Sequence, residues 1–468
     1  MRIFTQTCAL VLGLILVGAA AAAEHEKRLN YILFNIDDLG WTDLSCFGSR
    51  YFETPNIDRL AASGMKFTDA YAACAVCSPT RAALLTGRYP ARIGITDWIR
   101  AKFQGGQAGG ENPSEYVGGK NGRLACPPNP FWLEHRELTL AEVLKTVGYA
   151  TCHVGKWHLG PDDWFPESQG FDFNFGGCDY GQPPSYFDPY KRKNQDGIHG
   201  LPGRREGEYL TDREADEAVG FIKAHQQEPF FLYMANYAVH TPIQAKQELV
   251  AKYQSKPKTN QKNAAYAAMV ESVDDGVGKI LSILDELDLT DRTAVIFTSD
   301  NGGLLGPTHN APLRSGKGFP YEGGIRVPLI VRWPGVTEAG SVSAVPVTSV
   351  DYFPTIAKSA RAALPDGLVI DGLDLMPVLG GGGELDREAI FWHFPHYRGK
   401  VIPYSIVRRG EWKLLKRYEG PTYELFNLKD DLSETKDLAK EMPELVGELD
   451  SVLVEWLEHT GAKLPREG

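Results

Sequence analysis

Cysteine is scarce in this chain, with seven in 468 residues. Cys8 sits in an apolar N-terminal run, which leaves Cys46, Cys74, Cys77, Cys126, Cys152 and Cys178. So few thiols exclude a disulfide-dense scaffold. No second Cys-x-x-Cys joins Cys74 and Cys77 to complete a zinc site. Positive charge is also in deficit: 49 Lys and Arg face 60 Asp and Glu, for a net charge of −11. No overall field draws nucleic acid or an anionic membrane, so an anionic ligand needs a local cluster of Lys, Arg and His. Long apolar runs are missing too. The stretch Ala9–Val17 is too short to span a bilayer. Arg2 precedes it, small residues from Gly18 to Ala23 follow, and then come Glu24, Glu26, Lys27 and Arg28. That pattern predicts a removed signal peptide, Met1–Ala23, with a slowly cleaved membrane anchor as the alternative. The mature chain is expected to be exported, to the periplasm or the extracellular space.

What is present suits a folded protein, with 43% hydrophobic and 23% charged residues. The length allows a large domain plus a smaller one. Tyr31–Ile36 is a nearly continuous apolar run, as in a strand buried on both faces of a parallel sheet. Tyr149–Val154, Phe230–Tyr237, Ala294–Thr298 and Val327–Trp333 read the same way, and Lys66–Tyr71 predicts a shorter strand. Between them lie helix signals. Thr54-Pro55 opens a helix closing near Gly64, while Thr139-x-x-Glu142 and Thr211-x-x-Glu214 are capping boxes. Asn263–Leu287 carries apolar residues at helical spacing. Its Asp274 and Asp275 read as solvated or supporting residues rather than metal ligands. The alternation predicts an α/β protein with a parallel or mixed sheet. Ala101–Pro130, rich in Gly, Asn and Pro, predicts a long surface insertion near the site. The Gly380–Gly383 run predicts a linker, dividing residues 24–384 from a C-terminal subdomain (385–468) with a small antiparallel sheet and a terminal helix.

Several strand ends deliver chemistry. Asp37-Asp38 follows the first strand and Asp300-Asn301 a later one. These are hard oxygen donors without an accompanying His or Cys pattern, which suits Ca²⁺ or Mg²⁺, and a flexible oxygen cage leans towards Ca²⁺. Strand ends are where open α/β sheets place ligands. Lys156-x-His158 and His240-Thr-Pro lie at two further ends. The stretch Cys77-Ser-Pro-Thr-Arg81 opens a short helix that stops at Gly87.

Cys77 to Arg88 resembles the sulfatase signature Cys-x-Pro-x-Arg followed by Leu-x-Thr-Gly-Arg, with one mild departure at Leu85. Gly148-Tyr-Ala-Thr to Gly155-Lys-Trp-His158 resembles the second signature of that family. The likeness extends to His240, to Lys317 in Gly-Lys-Gly, to Glu322-Gly-Gly-Ile-Arg326 and to the segment beginning Glu424-Leu-Phe-Asn. The resemblance implies an alkaline-phosphatase-like fold, a mostly parallel mixed sheet sandwiched by helices. It implies oxidation of Cys77 to formylglycine (3-oxoalanine) by a maturation enzyme, and a metal held by Asp37, Asp38, Cys77, Asp300 and Asn301. It implies that Arg81 holds the hydrated aldehyde, Lys156 and Lys317 neutralise sulfate oxygens, His240 protonates the departing alcohol and His158 takes a proton from the second hydroxyl.

The implied reaction is sulfate ester hydrolysis. Phosphate or phosphonate monoester hydrolysis is the alternative enzyme reading, and a silent glycan-binding homologue is the non-catalytic one. A sulfated sugar is the expected substrate, with no nucleic-acid partner and no stable membrane span. Asp97, Trp98, Arg100 and Arg314 are candidates to contact it, as are His393 and His396 in an aromatic-rich stretch that could equally be core packing.

Overall fold

The computed structural model describes residues 28–99, 111–118, 124–420 and 422–467, so Met1–Ala23 and Arg100 lie outside the described residues. Eight strands form the central sheet: β1 (Asn30–Ile36), β2 (Met65–Phe67), β3 (Ala150–Gly155), β4 (Phe173–Phe175), β5 (Phe230–Ala235), β6 (Thr293–Ser299), β7 (Leu329–Arg332) and β8 (Ser341–Ser343). Their spatial order is β8-β2-β7-β6-β1-β5-β3-β4. Only the two pairings made by β7 are antiparallel. Of the five strands expected to be buried on both faces, β1, β3, β5 and β6 occupy the middle and β7 lies next to them. Two apolar cores lie against the sheet, since alternate residues of β1 divide between them: Ile32, Phe34 and Ile36 in one, Tyr31 and Leu33 in the other. This is the alkaline-phosphatase-like α/β arrangement.

The helix signals resolve differently. α1 (Pro55–Ala62) starts at the expected proline, and α2 (Cys77–Thr86) stops at left-handed Gly87. The box that starts α3 (Leu140–Lys145) is complete, with Thr139 and Glu142 bonded reciprocally. Thr211 and Glu214 form no box. α4 (Leu210–Ala224) starts one residue before Thr211, and Glu214 turns inward to accept from Asn236 Nδ2 and Tyr237 N. α5 (Ala264–Glu286) is capped by Asn263 as its sequence suggests. Asp275 is exposed, but Asp274 is buried and not solvated. Its carboxylate accepts from the backbone N–H groups of Asn56 and Ile57, so it caps α1 from another helix.

After the Gly-rich run, β9 (Ile390–Phe394), β10 (Tyr404–Arg409), β11 (Trp412–Arg417) and β12 (Thr422–Asn427) make an antiparallel sheet. The last helix, α6 (Pro443–Thr460), packs on it through Leu449, Leu453 and Trp456. The other face meets the approach to α2: Trp392 Nε1 donates to Ala72 O at 2.8 Å. The aromatic stretch is therefore packing, not an open stacking surface. His393 is buried, with one ring nitrogen on Ser405 and the other on Lys463 O.

Asp274→Ala should cost about 1–3 kcal/mol, since it strands two α1 backbone donors, that of Ile57 fully buried. A lowered urea midpoint with an unchanged slope would show it, and an unchanged midpoint would contradict this capping role.

Candidate active site

The site is assembled at the carboxyl ends of neighbouring strands. β1 and β6 run parallel with Ile36 opposite Ser299, so Asp37-Asp38 and Asp300-Asn301 emerge side by side. All four side chains are buried. Cys77 is the first residue of α2, and Arg81 lies one turn on, on the same helical face. Arg81 donates from Nε to Asp300 at 2.8 Å with Nη2 in ion-pair contact at 2.7 Å, and its Nη1 donates to Lys156 O at 2.8 Å. From β3, Lys156 Nζ reaches Asp37 at 2.6 Å, while Lys317 Nζ reaches Asp38 at 2.5 Å. Asn301 Nδ2 donates to Asp38 Oδ1 at 2.8 Å, and His240 Nε2 stands 3.6 Å from Asp38 Oδ2. Ligand atoms of Asp37, Asp38 and Asp300 lie within 4.8 Å of one another, and so do those of Asp37, Cys77 and His240.

Three buried oxygens in this cluster accept no hydrogen bond among the described residues: Asp37 Oδ1, Asp38 Oδ2 and Asn301 Oδ1. Orphaned buried acceptors are costly, and a cation satisfies acceptors as a donor would. The set is all oxygen and partly carboxylate, the donor type that hard divalent cations take. The residues therefore fit a cation. Charge points the same way. Burial pushes Asp37 up to about 8 despite Lys156, with Asp300 and Asp38 adding to the rise. Burial would also raise Asp38, but the cationic lysines around it, Lys317 first, outweigh it and hold that carboxyl well below its usual range.

His158 has a left-handed backbone (φ 60°) and is buried. Its Nε2 meets Ile99 O at 2.9 Å, while Nδ1 has no partner among the described residues. Ser78, next to Cys77, donates to His158 O at 3.0 Å. A Cβ on Gly181 would lie 2.8 Å from the imidazole, so that glycine gives the ring its room. Burial depresses both histidines: His158 lies well below its ordinary value, with Lys156 and Arg81 adding to the effect, and His240 falls to about 3, with Lys317 adding. Both rings are neutral in the chain by itself.

Cys77, Arg81, Lys156, His158, His240, Lys317 and the four metal-type residues are thus drawn to one place. The substrate candidates are not drawn there as a group. Asp97 and His396 belong with the loop ending at Ile99, where His396 meets Thr96 Oγ1 at 2.8 Å. Trp98 lies 6.3 Å from His158, ring centre to ring centre. Arg314 stacks at 3.6 Å on Tyr321 and donates to Glu434 O, so it is a fastening of the Lys317 loop. His393 is sealed in the C-terminal sheet, as described. The six described cysteines are all free, and burial pushes Cys74 up to about 12, unsuited to a redox pair with Cys77. The sequence reading missed Glu214, placed beneath the site: a Cβ on Gly155 would lie 3.0 Å from its carboxylate. Its capping-box spacing concealed that role.

A mostly parallel α/β sheet whose strand ends gather buried carboxylates, cations and a helix-start cysteine defines a hydrolase of the alkaline phosphatase superfamily. The chain belongs to the sulfatase family and is a type I sulfatase, a sulfuric ester hydrolase. The sulfatase family profile matches residues 29–362, and that of N-sulphoglucosamine sulphohydrolase, C-terminal, matches 315–459. A sulfatase from Formosa agariphila is 34% identical, over 93% of this chain and 88% of its own. The N-acetylgalactosamine-6-sulfatase of Canis lupus familiaris is 38% identical, over 86% and 74%. The crystal structure of Ps i-CgsB superposes with a TM-score of 0.77 at 33% identity, covering 92% of this chain and 93% of that one.

Burial also pushes Glu214 up to about 7. The folded state then keeps a proton that the unfolded chain releases near the ordinary glutamate value. Stability should fall as pH rises from about 4.5 to about 7 and level off above, by on the order of 3 kcal/mol. Subtracting the Glu214→Gln stability profile isolates this window, and parallel profiles would refute it.

Proposed function

We propose that the protein removes sulfate from a sulfated carbohydrate, using a nucleophile derived from Cys77 and a divalent cation, Ca²⁺ in preference to Mg²⁺. The observation that carries the reading is the junction of Cys77 with three buried cations and three orphaned oxygens. Oxidation of Cys77 to formylglycine, by a maturation enzyme acting on the chain, supplies a hydrated aldehyde as the attacking group. A bound cation supplies Lewis acidity, and Asp37, Asp38, Asp300 and Asn301 with the modified residue 77 would hold it.

The chain's own residues do the rest. Lys156 and Lys317 are already desolvated, so water does little to screen their charges from sulfate oxygens. Arg81 is tied to Asp300 and to the Lys156 carbonyl, which fixes it beneath residue 77. Burial, and then Lys317, depress His240, and a bound anionic ester would offset the second of these effects. It can then carry a proton to the departing alcohol. His158 Nδ1, without a hydrogen-bond partner among the described residues, is suited to accept a proton from residue 77. N-acetylgalactosamine-6-sulfatase relatives favour a sugar substrate, as does a further structure, 32% identical, of Ps i-CgsB in complex with k-i-k-neocarrahexaose. Steryl-sulfatase of Homo sapiens, 31% identical, keeps other sulfate esters in view. The phosphate or phosphonate reading rests on a shared fold: a phosphonate monoester hydrolase superposes at 20% identity. Export is proposed from the N-terminal segment. Among the described residues, no helix is long and apolar enough to cross a membrane.

Intact-mass analysis of the Cys77 peptide from native-host protein should show the aldehyde, and an unmodified thiol throughout would defeat the formylglycine reading. Hydrolysis of 4-nitrophenyl sulfate should exceed that of the phosphate, and dominant phosphatase activity would reverse the assignment. Ca²⁺ at 100-fold its dissociation constant should stabilise the metal-stripped protein by about 2.7 kcal/mol in thermal unfolding. Asp300→Ala should erase that gain; an equal gain in the variant would place the ion elsewhere.

A further inference from the structure

Lys317 lies in a loop with little regular structure, yet its amine is placed against Asp38. Within the catalytic region, Lys317 N donates to Gly303 O at 3.1 Å, and Gly318 N donates to Ala75 O at 2.8 Å. A four-residue helix, Glu322–Ile325, ends the loop, and Gly302 N donates to Gly324 O at 3.0 Å. That helix backs so closely onto the Asn301 turn that a Cβ on Gly302 would lie 1.9 Å from Gly323 O. One loop therefore touches the Cys77 approach, the Asn301 turn and Asp38.

The loop is gripped from behind by residues that follow β12. Ser433 Oγ donates to Pro312 O at 2.7 Å, and Arg314 Nη1 donates to Glu434 O at 2.8 Å. Glu322 N donates to Glu434 Oε2 at 2.7 Å. These contacts fall on both sides of Lys317. Glu434 is fully buried and holds a left-handed backbone (φ 52°), a conformation costly for a residue with a side chain. Its other oxygen accepts from Lys413 Nζ at 2.7 Å, and Lys413 also reaches Glu322 at 3.0 Å. Glu322 in turn accepts from Tyr71 at 2.7 Å and pairs with Arg326 at 3.2 Å, and Arg326 and Arg408 share Asp69. Three acids thus face three bases in a closed, desolvated network joining the C-terminal sheet to the catalytic loop.

Buried ion pairs are poor sources of net stability against apolar packing of the same volume, and their best-attested use is to fix register. We propose that Glu434, paired with Lys413, is a positioning residue that holds the 312–325 loop so that Lys317 meets the sulfate. This rests on the reading of Lys317 as a sulfate contact, and it gives the C-terminal subdomain a part in catalysis beyond covering the core.

The test is binding of inorganic sulfate, the product anion, by calorimetry, on wild type, Glu434→Gln, Lys317→Ala and the double variant. Glu434→Gln should weaken binding by ~10-fold, and in the Lys317→Ala background it should add no more than ~2-fold, because it acts through that lysine. The kcat/KM of Glu434→Gln for 4-nitrophenyl sulfate should fall alongside, relative to wild type. Full additivity would mean that Glu434 is structural glue only, and wild-type affinity in Glu434→Gln would overturn the proposal. Ser433→Ala, which removes one grip and leaves the ion network whole, is the second variant if Glu434→Gln does not fold. It should weaken sulfate binding ~2–3-fold in the wild-type background alone, and an equal loss in both backgrounds counts against the proposal. If Lys317→Ala binds sulfate as wild type does, the site reading itself fails. If Lys317→Ala loses affinity and Glu434→Gln does not, only the positioning role fails.

Discussion

The structure depends on holding carboxylates together where water cannot shield them. Asp37, Asp38 and Asp300 converge at the ends of two adjacent strands, all fully buried. Their mutual repulsion is strong in a low-dielectric interior, and it is met from three directions by Arg81, Lys156 and Lys317. Each cation arrives on a different element: α2, the end of β3 and an irregular loop. Moving any one of them would take the nearest cation from an acid, so the elements are tied to one another through the charges they carry. Orphaned oxygens within the same cluster leave it short of positive charge, the condition that a divalent cation and an anionic substrate exploit.

The apolar core and the charged site divide the work. The middle strands pack aliphatic and aromatic side chains on both faces, which places their ends in fixed register to within one residue pairing. That register sets Asp37-Asp38 beside Asp300-Asn301, with Lys156 two strands further on, across β5. The less regular parts, the loop bearing Lys317 and the turn bearing His158, cannot rely on a ladder. They are fixed by individual contacts, including the left-handed His158 backbone and the ion network beneath Glu322. Irregular backbone at a site needs such reinforcement from neighbours to hold a single geometry.

Much of this was legible in the chain. Buried strands announce themselves as apolar runs, and helix ends at Thr139, Asn263 and Gly87 follow from local capping chemistry that a few neighbouring residues settle. Acidic pairs after two such runs point to a hard-cation cluster, and the Cys77 and Lys156-x-His158 signatures point to the family. The misreadings have a common origin. Thr211-x-x-Glu214 has the spacing of a capping box, but Glu214 finds buried donors just past the end of β5 that are distant in sequence. Asp274 has the setting of a solvated mid-helix residue, but another helix end needs its carboxylate. His393 and Arg314 carry chemistry suited to a sugar, yet Ser405, Lys463, Tyr321 and Glu434 engage them. In each case a partner far along the chain outweighed the local pattern.

The sequence by itself determined the elements, the family and the residue types of the site, because periodicity, capping and short motifs act over a few residues. Tertiary structure alone decided which acid faces which base, which oxygens remain unsatisfied and which histidine nitrogen is free. Those are properties of distances between residues up to hundreds of positions apart, and of burial that no local pattern encodes. The grip of the C-terminal subdomain on the Lys317 loop is of the same kind, since Glu434 and Glu322 meet only when two separate sheets have packed.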